Sequence, residues 1–175
     1  MKNNMIFNTA KVVMAALTLG AMTTACSDWD DHYDANGTVT GSATSTLWEN
    51  ISANNDLSEF AALAKKVGYD KVLSNSQTYT VWAPLNGSFD YETLNNMDLA
   101  TMKKQFMQNH VAHFNYPATG SVDEKVYMIN EKMKKFVGSG TYTMGGLELT
   151  QPNIPNSNGT LHAINGKIDF GFNIY

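Results

Sequence analysis

The sequence predicts an α+β domain, with helices in its first half and a mainly antiparallel set of strands in its second. Three observations carry this. Apolar residues recur at helical spacing after Asp56 and again after Asp98. A β-branched and aromatic run, residues 78–83, stops at Pro84. From Val126 onward, short apolar segments alternate with Gly, Asn and Pro. Helices followed by a meander is the α+β pattern.

The N-terminus is read separately from the domain. Lys2 and Lys11 precede an apolar and small-residue run, residues 12–25, that holds no acid. Its length suits a signal peptide and is too short to span a bilayer as a helix. Residues 1–25 are therefore expected to be a signal peptide. Cys26, the single cysteine, follows at once and excludes an intrachain disulfide. The small residues before Cys26 resemble a bacterial lipobox, with Thr23 where leucine is commonest, so Cys26 is expected to be cleaved at and lipidated. A buried free thiol is the plainer alternative. Two or three acyl chains anchor stably where one is marginal. The acidic stretch Ser27–Asp31 resembles the signal that sends lipoproteins of Bacteroidetes to the cell exterior, and a solvated linker is its plainer reading. Residues 26–46, rich in Asp, Gly, Ser and Thr, read as a flexible acidic tether, and 47–175 as the domain.

Within the domain, Asp56 and Glu59 suggest a capping box, and Leu57, Phe60, Leu63, Ala64 and Val67 lie on one helical face that ends at Gly68. The run 78–83 is a strand. A second helix is expected from Asp98, with Leu99, Met102, Phe106, His110 and Phe114 on one side, ending before Pro117. Strands follow at 126–130, 135–137, 141–144, 147–150, 160–164 and 167–170. Gly145-Gly146 and Asn165-Gly166 give tight turns, and Asn158-Gly159 a reversal into the last hairpin. Trp48, Trp82 and Phe60 are assigned to the core.

Charge excludes several partners. All 12 basic residues are lysines, and removal of residues 1–25 leaves 10 lysines against 16 acids, a net charge of −6. Without arginine, and with this sign, nucleic acid and other polyanions are disfavoured. Catalytic signatures are missing as well. The sequence holds no Gly-x-Ser-x-Gly, no phosphate-binding loop, no Gly-x-Gly-x-x-Gly and no His-Glu-x-x-His. No enzyme activity and no cofactor are expected. His110 and His113 have a helical spacing that could offer two metal ligands, but His162 is the only other histidine of the domain, so no metal is expected.

Two segments carry a family resemblance. Residues 80–89, Thr-Val-Trp-Ala-Pro-Leu-Asn-Gly-Ser-Phe, resemble the first signature of fasciclin (FAS1) domains through Thr80, Ala83, Pro84, Asn86 and Phe89. Residues 158–168 resemble the second through Asn158, Gly159, His162 and Ile164. Asn109-His110-Val111 falls where the family has Tyr-His-hydrophobic. Trp82 for Phe, Leu85 for Thr, Asn109 for Tyr and Asn165 for Asp are departures. The resemblance implies a FAS1-like fold, N-terminal helices packed on a mainly antiparallel β-wedge. It implies structural roles for the motif residues and a buried, hydrogen-bonded His110. It also implies a non-catalytic adhesion or binding module.

For a chain with this address, the expected setting is the outer membrane, lipid-anchored and facing the exterior. The expected partner is a SusC/SusD-type nutrient importer, which the chain would serve as accessory subunit. A free-standing glycan binder and a structural spacer are the alternatives. Tyr91 and Tyr116, in predicted loops, are the candidate glycan contacts, and residues 170–175 are apolar enough to need cover. Tandem domains are frequent in the family, so a second domain, lost or residing in a neighbouring chain, is a further expectation.

Overall fold

A computed structural model describes residues 41–170. The expected signal peptide, Cys26, the expected tether up to residue 40 and the apolar end at 171–175 lie outside the described residues. Of the tether, 42–46 are tied to the domain. Ser42 N–H donates to Asn50 Oδ1 at 3.0 Å, Asn50 Nδ2 returns a bond to Ser42 O, and Ser157 N–H donates to Ser45 O at 2.8 Å. The packed body thus includes residues 42–46, ahead of the expected start at Leu47.

The helices begin where side chains can cap them. Thr46 and Glu49 cap one another's backbone N–H at the start of α1 (Leu47–Ala53), which the sequence reading did not assign. The capping box expected at Asp56 and Glu59 does not form. Asn54 caps a short 3-10 turn at 55–57 instead, and α2 (Ser58–Lys66) follows it. Gly68, at φ +76°, ends that helix in the left-handed conformation and leads into α3 (Tyr69–Leu73). Asp90 and Asp98 cap α4 (Tyr91–Asn95) and α5 (Leu99–Gln105) by accepting from Thr93 and Thr101 N–H.

The second predicted helix, expected to run up to Pro117, stops at Gln105, and the reason is local. Its continuation needs the carbonyls of Gln105 and Phe106. The Asn109 side chain takes the first, and His110 Nδ1 takes the second at 2.8 Å. Side chains have replaced the backbone donors. The chain tightens to 3-10 at 107–109 and then extends into β2 (Val111–His113), leaving Phe114 at φ +71°.

β1 (Tyr79–Pro84) follows the expected run and ends on its proline. The meander is β3 (Ser121–Tyr127), β4 (Met133–Ser139), β5 (Thr141–Met144), β6 (Leu147–Asn156) and β7 (Gly159–Ile164). Two details differ from expectation. Residues 167–170 are not a strand, so Asn165-Gly166 closes no hairpin, because Ile168 N–H is spent on His110 Nε2. The sheet is also mixed. Its order is β2-β1-β7-β6-β5-β4-β3, and β1 runs parallel to β7. A single bridge, Ala112 to Met128, joins β2 to the end of β3, so the sheet curls until its two edges meet.

β1 and β7 are buried on both faces, as central parallel strands are. Alternation assigns their side chains to two cores. Val81, Ala83, Leu161 and Ala163 meet the helices with Phe60, Leu63 and Phe106. Trp82, His162 and Ile164 face the curled strands with Val126, Phe136, Tyr142 and Met144.

Candidate functional site

The two signature segments lie side by side as β1 and β7, with Thr80 opposite Thr160, Trp82 opposite His162 and Pro84 opposite Ile164. The polar residues of the signatures are consumed in joining distant elements. Asn86 Oδ1 accepts from Glu59 N–H at 2.9 Å, and its Nδ2 donates to Asn55 O and Ser58 Oγ, both 2.8 Å. Glu59 answers by accepting from Gly87 N–H at 2.9 Å. The first motif therefore supplies the cap that α2 lacks locally. Phe89 is half-buried, its ring 5.4 Å from that of Phe106.

Asn158 performs the same service at the other end. Its Oδ1 accepts from Leu47 N–H at 2.7 Å, and its Nδ2 donates to Leu73 O and Asn75 O. At Gly159 a Cβ would stand 1.9 Å from Tyr79 O, so the close approach of β1 excludes any side chain.

His110 and His162 are both buried staples. His110 Nδ1–H donates to Phe106 O and Nε2 accepts from Ile168 N–H, 2.9 Å. His162 uses the opposite nitrogen pair: Nε2–H donates to Tyr116 O at 2.9 Å and Nδ1 accepts from Asn153 N–H at 3.1 Å. Each ring must be neutral to make both bonds. Burial pushes each pKa down to about 4, against the weaker opposing effect of the bond to a carbonyl. Both nitrogens of each ring are occupied by backbone. His113 lies apart, exposed at the end of β2, its ring 5.5 Å from Tyr79. Among the described residues no three His, Cys, Asp or Glu gather as a metal site.

The candidate glycan contacts do not come together. Tyr91, the first residue of α4, is half-buried against the helix-side core. Tyr116 is half-buried over Trp82, ring centroids 6.2 Å apart. Between 55–57 and the 85–87 turn opens a cleft of about 230 Å³, lined by Asp56, Leu85, Asn86, Thr150 and Gln151. It is smaller than the roughly 300–1,000 Å³ of sites that enclose a drug-sized ligand.

The most exposed aromatic ring among the described residues is Phe114, 73% accessible, which the sequence reading placed on a helix face. Thr80 Oγ1 donates to Phe114 O at 2.8 Å and accepts from Tyr116 N–H at 3.0 Å, while Thr160 Oγ1 donates to Asn115 Oδ1. Two threonine hydroxyls from β1 and β7 thus pin residues 114–116. The only trace of this in the sequence is the polar spacing of Thr80 and Thr160, which names no partner.

A family model for the fasciclin domain matches residues 55–168. Among solved structures, a FAS1 domain pair from the insect cell adhesion molecule fasciclin I is similar, with a TM-score of 0.53 and 14% identity. The similarity covers 71% of this chain and 50% of that one, so the chain spans about half the length of its structural relative. No curated protein matches the sequence.

Proposed function

The chain belongs to the fasciclin-domain family, and from that premise we propose that it is a non-catalytic binding and adhesion module displayed on a bacterial cell surface. The observation that supports this best is the family match over most of the folded body, together with a structure that commits its polar motif residues to architecture. What is left for recognition is the surface. Lipid attachment at Cys26 would hold the domain at the outer membrane, and the sequence from the charged N-terminus through the acidic tether supports that address. No helix among the described residues is long and apolar enough to cross a membrane.

In its concrete form the proposal makes the chain an accessory subunit of a SusC/SusD-type nutrient importer. Purification of the tagged lipoprotein from its native outer membrane in mild detergent, followed by mass spectrometry, tests it. Near-equal recovery of an importer supports the subunit reading. Recovery of the protein alone overturns it and favours a free-standing glycan binder. Protease treatment of intact cells tests the address: digestion without lysis supports exposure, and protection overturns it.

A further inference from the structure

We infer that the end of the sheet at which β1 and β7 begin and β2 stops is a binding surface for neutral polysaccharide, with the Phe114 ring as its stacking platform. This deepens the binding-module reading and rests on it.

The first observation is where charge is missing. Three segments, 72–89, 105–122 and 149–166, hold no Asp, Glu, Lys or Arg. One such run would be ordinary in this chain. These three, however, contain β1, β2 and β7, which the sheet places next to each other, with Tyr79 opposite both His113 and Gly159. Their loops therefore share one end of the sheet. Exposed there are Asn75, Gln77, His113, Phe114, Asn115 and Ser157. The 42–46 segment, also free of charge, packs beside them through the Ser157 to Ser45 bond. Charged side chains gather on β3 and β4, which meet this end only at the edge, through the Ala112–Met128 bridge; there Lys125 stands opposite Lys135 and Lys135 pairs with Asp123.

The second observation is Phe114. A bulky side chain at φ +71° sits in the left-handed region that L-residues avoid. The conformation is imposed by the Thr80 hydroxyl, which grips the backbone on both sides of Asn115. The ring is not packed away in return; it stands in solvent, with His113 edge-on at 6.4 Å. Threonine hydroxyls of the two central strands thus hold an apolar ring outward, amid amides, a hydroxyl and an imidazole.

That combination matches a neutral sugar. The C–H face of a pyranose is apolar and covers an aromatic face, and its hydroxyls need uncharged donors and acceptors around the ring. An acidic polymer would find no cation on the three segments and would be repelled by the net negative domain. A protein partner would bury the ring as an apolar anchor, and the test separates that case.

The full mature chain is run in native gels containing amylopectin, xyloglucan, galactomannan or mixed-linkage β-glucan, and in gels containing polygalacturonate or hyaluronate. Phe114→Gly is the informative variant, since glycine accepts this backbone conformation and the fold is retained. Gln77→Ala reports on the polar surround, and Glu148→Gln, exposed at the opposite end of the sheet beside the Leu149–Ile164 pair, is the control. The expected result is retardation by at least one neutral polymer, insensitive to salt. It should weaken about tenfold in Phe114→Gly and about threefold in Gln77→Ala, and be unchanged in Glu148→Gln. Retardation that survives Phe114→Gly overturns the assignment of the surface and leaves the binding-module reading intact. So does retardation by the acidic polymers alone. If no polymer retards the chain, the polysaccharide assignment is overturned. A photo-crosslinking residue at position 114, used in cells, then decides the wider reading. Capture of an envelope protein keeps the binding module with a protein partner, and no capture removes both.

Discussion

The two faces of the β1–β7 pair are packed by different means. Toward the helices the strands present Val81, Ala83, Leu161 and Ala163, small or medium side chains that let α-helices come close. Toward the curled strands they present Trp82 and His162, stacked at 5.6 Å, with Phe136 completing the aromatic group. A sheet that curls on itself leaves a wide gap opposite its central strands, and large rings fill it. One face is thus governed by close approach and the other by volume. Each contains a buried histidine that ties backbone segments together, His110 beside Phe60 and Phe106 and His162 between Trp82 and Phe136.

The largest expected effect tests what the faces share. Both histidines have folded-state pKa values of about 4, below the ordinary value of 6.5, so the unfolded chain takes up protons first on acidification. The stability each contributes is complete above pH 6.5, falls as the pH drops, and is gone below about pH 4. Each is worth on the order of 3 kcal/mol across that window. Urea unfolding from pH 7.5 to 4.5 should show this decline, with about half the slope in His110→Gln or His162→Gln. A pH-independent midpoint would mean that the rings are not held neutral.

Next comes volume. Trp82→Ala empties the centre of the sheet-side core and is expected to cost about 3–5 kcal/mol, read as a lower urea midpoint at unchanged m-value. Trp82→Phe should cost much less, since it keeps a ring and removes an Nε1–H that has no partner. Close approach is tested from the other side. Ala163→Leu inserts bulk between β7 and the helices and should cost about 1–3 kcal/mol by overpacking. Equal tolerance of Ala163→Leu and of enlargement at Ile164 would erase the difference between the faces. The smallest effect has the opposite sign: Phe114→Gly relieves a left-handed backbone and should raise stability by about 1 kcal/mol, seen as a higher midpoint.

Some of this could be read in advance. The apolar spacing from Leu57 to Val67 marks the helix that contains Ser58–Lys66, and Thr141–Met144 is a strand with the bounds expected of it. Gly145-Gly146 closes the β5–β6 hairpin as its composition demands. The two signatures, residues 80–89 and 158–168, are legible in the same local text. Beyond Gln105 apolar spacing misleads, because periodicity counts apolar residues and does not count competing hydrogen bonds. Phe106, His110 and Phe114 keep the helical interval, yet Asn109 and His110 turn their side chains onto the carbonyls that a further turn would need.

The sequence by itself determined the family, the helix around Leu57–Val67, the strand that ends at Pro84 and most strands of the second half. Those properties depend on side-chain pattern over a few neighbours. Only the tertiary structure decided that β1 lies parallel to β7, that Asn86 caps a helix 27 residues earlier, and that Asn158 joins Leu47 to Leu73. It also decided that Phe114 faces solvent. Each of these is a choice of partner across a long stretch of chain, and a hydrogen-bonding side chain carries its capacity in the sequence but not the address of the group it will meet.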